Sequence, residues 1–154
     1  MNRDLVKKAV FVAAVIAIGG ALAHMHVAAQ IYHPVVQISS PDGLIFTALQ
    51  DETTERRRCG ELNDRFIRPV KAHCKQCRVV YARCDRQLTG VEAALATGRP
   101  LPYHLVLSPG LRLAISGPEA PARETCDFIA SDLLKRDYRT AVCVYPIPAA
   151  KDRQ

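Results

Sequence analysis

The chain of 154 residues is long enough for one domain, and six cysteines are cross-links of the kind a core of this size needs. Twenty-one Lys and Arg against fifteen Asp and Glu give a net charge of +6, of which Arg3, Lys7 and Lys8 less Asp4 supply +2 and the remainder +4. The arginines of the body are interspersed with acids, as in Glu55-Arg56-Arg57-Arg58 followed by Glu61 and Asp64, which reads as a solvated helix face and excludes nucleic acid from the expected partners.

Residues 1–31 have the charge order of an export signal. Arg3, Lys7 and Lys8 precede 23 residues, Ala9 to Ile31, without Asp, Glu, Lys or Arg. As a helix that run is longer than the ~30 Å hydrocarbon layer, so it suits a transmembrane signal anchor. The small-residue triplets Ala21-Leu22-Ala23 and Val27-Ala28-Ala29 equally suit a cleaved signal peptide. Either way the cysteine-rich body lies on the oxidising side, at a bacterial inner membrane facing the periplasm or secreted into the periplasm. His24, Met25, His26 and His33 are ligand types that suit copper, but without a folded context they read as interfacial residues. Residues 32–41 are expected to be a linker, 42–147 the folded domain and 148–154 a tail.

The body contains an internal near-repeat. Gly43 to Cys59 and Gly110 to Cys126 both span 16 residues: a strand-like run after the glycine, a polar stretch, then a cysteine opening an apolar stripe at helical spacing. The stripes are Cys59, Leu62, Phe66 and Val70, and Cys126, Ile129, Ala130 and Leu133. Pro69 is expected to end the first helix near Arg68. Each helix leads into a second strand, Arg78 to Cys84 and Arg139 to Tyr145.

Period-2 alternation groups Val80, Ala82 and Cys84 on one face and Ala141, Cys143 and Tyr145 on another. A helix covering that face brings its own cysteine close. The expected disulfides are therefore Cys59–Cys84 and Cys126–Cys143, leaving Cys74–Cys77 as the third.

Between the halves, Thr89-Gly90-Val91-Glu92 reads as a capping box opening a short helix, closed by Gly98 and Pro100. Tyr103 to Ser116 reads as a hairpin about Ser108-Pro109-Gly110. Two strand-helix-strand halves imply an α+β fold: a ferredoxin-like split βαβ-βαβ sandwich, antiparallel, with both helices on one face and an extra hairpin strand. Over residues 43–145 this layout is similar to that of SPOR domains, envelope modules that bind peptidoglycan glycan. The resemblance is one of architecture and carries no binding residues onto this chain.

Cys74-Lys75-Gln76-Cys77 is the motif with chemical potential, since His73, Lys75 and Arg78 surround it with positive charge. Haem attachment is excluded because Arg78, not His, follows the second cysteine. Cys74, Cys77, Cys84 and His73 or Cys59 have tolerable zinc spacing, but an oxidising compartment favours disulfides. His73 and His104 lack a triad context, and Ser39, Ser40, Ser108, Ser116 and Ser131 lie in no nucleophile elbow. No metal or cofactor is expected. The function expected is non-catalytic: a binding or scaffolding domain in a membrane-associated assembly, whose partner is another envelope protein or cell-wall glycan. The alternative is a thiol-disulfide oxidoreductase using Cys74 and Cys77.

Overall fold

The computed structural model describes residues 30–136 and 140–146. The chain divides into a unit of residues 1–30 and a unit of residues 31–154. The expected signal or anchor therefore lies almost wholly outside the described residues, as does the tail. Among the described residues no helix is long and apolar enough to cross a membrane.

The second unit is α+β. In chain order it comprises β1 (His33–Ser39), β2 (Ile45–Gln50), α1 (Arg56–His73), β3 (Arg78–Asp85), α2 (Gly90–Thr97), β4 (His104–Ser108), β5 (Leu111–Ser116), α3 (Glu119–Lys135) and β6 (Val142–Val144). The six strands form one antiparallel sheet in the order β3-β1-β2-β5-β4-β6.

Residues 32–41, expected as a linker, instead contain β1, which lies between β2 and β3. Its Val35 and Val36 are both fully buried because helices cover both faces of the sheet at this point, so the alternation is confined to the four residues Val36 to Ser39. Pro34 is tolerated as the second residue of the strand, near its start.

With β1 in place, each half is a hairpin, a helix and a strand rather than a plain βαβ. The parallel pair β2 and β3 is split by β1, and the pair β5 and β6 by β4. Each gap is filled by the half's own hairpin strand, so the halves lie side by side and do not interleave as a ferredoxin-like sheet requires.

The expected placement of both long helices on one face holds. Val36, Ile38, Ala48, Val106, Leu113 and Ile115 of the sheet form one core with Ala122, Cys126 and Ala130 of α3, and Phe66, Ile67 and Val70 of α1 pack against it. Ten buried residues of this kind supply most of the apolar burial, at about 1.5–3 kcal/mol for each fully buried large side chain. The opposite face carries a smaller core of Val35, Leu49, Ala114 and Leu95, under α2.

Pro69 lies inside α1, which continues to His73. The proline and Arg65, whose carbonyl loses its partner, are both exposed, so water replaces the missing bond and the helix need not stop. Val80, expected beside Cys84, is the extra residue of a bulge where the register shifts between Gln37 and Ile38. It is 54 % exposed, and Val79 opposite Ile38 takes the core position. Gly117 has φ of 137°, and a Cβ there would stand 2.8 Å from the Gly43 carbonyl oxygen, so the end of β5 and the β1–β2 turn meet only because no side chain intervenes.

Candidate functional site

The six cysteines pair as Cys59–Cys84, Cys74–Cys77 and Cys126–Cys143, with Cα separations of 6.0, 5.3 and 5.6 Å, and none is free. Cys59 and Cys126 are completely buried under the sheet, each in the first turns of its helix. These bridges fasten α1 to β3 and α3 to β6, and their sulfurs are part of the core.

Cys74–Cys77 is placed differently. Cys74 caps the C-terminal end of α1, its N–H donating to the Val70 carbonyl at 2.7 Å, and the Cys77 N–H donates back to the Cys74 carbonyl at 3.2 Å. A redox-active thiolate needs the positive end of a helix dipole, whereas this pair sits at the negative end. Cys77 packs against the main core. The geometry closes a helix and starts a strand. With all six sulfurs in disulfides, the thiolate set weighed for zinc is closed, and among the described residues no group of three His, Cys, Asp or Glu can hold a metal. His24, Met25 and His26 lie outside those residues. His33 faces Glu52 at 3.9 Å. His104 is buried, edge-on to Tyr145 at 5.7 Å, with no serine nucleophile paired to it.

A concave feature of the domain lies on the face opposite α1 and α3. α2 is short and covers β1, β2 and β5, leaving the β4 and β6 side of that face open. A groove of about 280 Å³ runs between the end of α2 and these strands, walled by Leu95, Leu101, Tyr103, Leu105, Leu107 and Val144. Gly98, in the left-handed conformation at φ 68°, turns the chain out of α2, and the Arg99 N–H donates to the Ala94 carbonyl at 3.0 Å, so this wall is rigid.

The Thr89 side chain makes no cap bond, and Glu92 is not used in a capping box. Glu92 instead accepts from the Tyr81 hydroxyl at 2.7 Å and the Arg83 guanidinium at 2.9 Å, tying α2 to β3. Arg112 holds the other end, donating from Nη1 to the Leu95 carbonyl at 2.6 Å and to that of Ala96. Its charge is spent on the C-terminal carbonyls of α2, which leaves Arg99, Tyr103 and Tyr145 as the other polar side chains of a mostly apolar lining.

The groove opens onto β6, an edge of the sheet. Val142 and Val144 of this strand are 52 % and 40 % exposed, and no charged residue lies within it. The other edge, β3, carries Arg78, Arg83 and Asp85 and the bulge at Val80, which are devices that discourage pairing. β6 has none of them. No motif marked the groove in advance, because its walls come from residues 94–112 and 144–145 and meet only through the sheet order. The alternation of Leu105, Leu107, Val142 and Val144 was the one available signal.

No protein-family model matches the chain, and no curated protein or solved structure matches it significantly.

Proposed function

We propose that this chain is a non-catalytic envelope protein whose domain, attached to a membrane through residues 1–31 and facing the periplasm, binds an extended apolar segment of another envelope protein. The observation that carries this reading is the apolar groove continuous with the uncharged edge of β6. An added strand can take its backbone hydrogen bonds from β6 while its alternate side chains enter the space between Leu105, Leu107 and Leu101. Three disulfides are compatible with an oxidising extracytoplasmic compartment. The negative helix end at Cys74–Cys77 weighs against thiol-disulfide exchange.

A photo-crosslinking residue at Val144 of the full chain, activated in the producing cell, tests the proposal. The expected result is one discrete adduct with another envelope protein, absent when the same residue replaces exposed Phe128 on α3. The adduct should disappear with Leu105→Asp and survive the double change Cys74→Ala with Cys77→Ala. Equal adducts at both positions would defeat the groove reading, and loss in the double cysteine variant would bring the oxidoreductase reading forward.

A further inference from the structure

The cations of the domain fall into two populations. Away from α1 most are engaged: Arg83 with Asp85 and Glu92, Arg136 with Asp132, Arg112 with the carbonyls of α2, and Arg86 and Arg123 over the rings of Tyr32 and Tyr145. From Arg56 to Arg78 the chain carries eight Arg and Lys against Glu61 and Asp64, a net +6, while the rest of residues 30–146 carries eight against eleven acids, a net −3. All eight are exposed, and among the described residues only Arg57 forms an ion pair, with Glu61 one turn away at 2.9 Å. The other seven cations form no ion pair among the described residues.

Helical spacing sets Arg57, Arg65, Arg68 and Lys71 along one side of α1, opposite the buried Cys59 and Asn63, and the two acids of the helix, Glu61 and Asp64, share that side, so the cations there outnumber the acids four to two. None of the large exposed hydrophobic side chains of the domain belongs to this helix. The result is a net positive face about 21 Å long from Arg57 to Lys71, at about 1.5 Å per residue, with no large exposed apolar side chain on it.

We propose that this face docks on the anionic phospholipid headgroups of the membrane to which the chain is attached. The inference rests on the membrane attachment proposed for residues 1–31. Charge complementarity selects an anionic occupant, and the form of the face selects a lipid surface. A row of exposed cations, of which only Arg57 forms an ion pair among the described residues, suits a plane of many single phosphates, and the helix offers no large exposed apolar side chain as an anchor for a protein partner. Each basic residue near such a surface should strengthen the association roughly fivefold, and the whole effect should be screened by salt.

The test uses the full chain reconstituted in bilayer nanodiscs, one set of zwitterionic phosphatidylcholine and one containing phosphatidylglycerol. Arginine modification by phenylglyoxal is read by mass spectrometry at each site. Protection of Arg57, Arg65 and Arg68 in the anionic discs only, lost at high salt and lost at Arg57 in the double variant Arg65→Glu with Arg68→Glu, is the expected result, with Arg99 modified equally in both sets. Equal modification of α1 in both sets, while the chain stays with the discs, overturns the docking face and leaves the anchor standing. A chain that leaves the zwitterionic discs at high salt overturns the anchor itself. Protection that appears only when a soluble polyanion such as duplex DNA is added overturns lipid as the ligand.

Discussion

Glu92 is 7 % exposed and has two donors, the Tyr81 hydroxyl and the Arg83 guanidinium, whose carbon lies 4.2 Å from the centre of the Tyr81 ring. Burial, and then the hydrogen bond to Glu92, pushes the Tyr81 hydroxyl up from 10.0 to about 12. The phenol is neutral when protonated, and the folded state holds that proton more tightly than the unfolded chain does. Its contribution to stability is therefore complete below pH 10 and is lost as the pH rises through 12. In urea unfolding, wild type should be more stable than Tyr81→Phe at pH 9, and that gap should shrink steadily toward pH 12. A gap independent of pH over that range would mean that the folded state does not favour the neutral phenol. Nothing in the sequence announced this cluster, since Glu92 sits where a capping residue belongs, and only the approach of β3 to α2 turns it into the acceptor for Tyr81.

The three disulfides differ in what they join. Cys59–Cys84 and Cys126–Cys143 fix helix to strand across 25 and 17 residues, while Cys74–Cys77 spans three residues of one turn. Chain-entropy reasoning gives about 3.5, about 3 and about 2 kcal/mol for such loops. Replacing each pair by Ala should therefore lower unfolding free energy in that order, with an added cavity loss for the two bridges whose helix sulfurs are buried. If removing Cys74–Cys77 cost the most under chemical denaturation, the bridge would be holding more than the helix end. Cys59–Cys84 and Cys126–Cys143 could be read from pseudo-symmetry, because stripe and strand each put a cysteine toward the same layer, and Cys74–Cys77 followed as the remainder. The equivalence is looser on the strands. Val106, which faces Cys143, is the counterpart of Ile38, since each is opposite a matching residue of the next strand, Leu113 and Phe46. Cys84 faces Pro34 instead, four residues earlier. Helix, hairpin and strand types were legible from periodicity. β1 was not, because Val35 and Val36 are buried on opposite faces and leave only Val36 to Ser39 alternating, a short run beside Pro34. The groove also stayed hidden, since which strand forms an edge depends on pairing, and pairing is not written in local pattern.

At the scale of the whole molecule the repeat acquires a geometric meaning. The step from Cys59 to Cys126 is 67 residues, as is the step from Gly43 to Gly110. In the central pairing of β2 with β5, Thr47 faces Ala114, which is also 67 residues on, while Phe46 faces Ile115 and Ala48 faces Leu113. Shifted by 67, Ile115 corresponds to Ala48 and Leu113 to Phe46, so the rungs on either side of Thr47 and Ala114 exchange. The two halves are thus joined about a pseudo-twofold axis through that rung, and β2 is built to pair with an antiparallel copy of its own kind. A single half cannot leave β2 bare, because that edge would expose the core face at Phe46 and Ala48 together with an unpaired row of backbone groups. A fragment of residues 30–88, produced under oxidising conditions with Cys59–Cys84 closed, should therefore form a dimer through β2 with Thr47 opposite Thr47 of its partner, the isologous contact a twofold axis demands. Sedimentation should show the dimer, its melting temperature should rise with concentration, and Thr47→Pro should abolish it by removing a ladder donor at the axis. A folded fragment that stays monomeric at high concentration would show that the symmetric register is a coincidence of two short hairpins and not the organising contact of the fold.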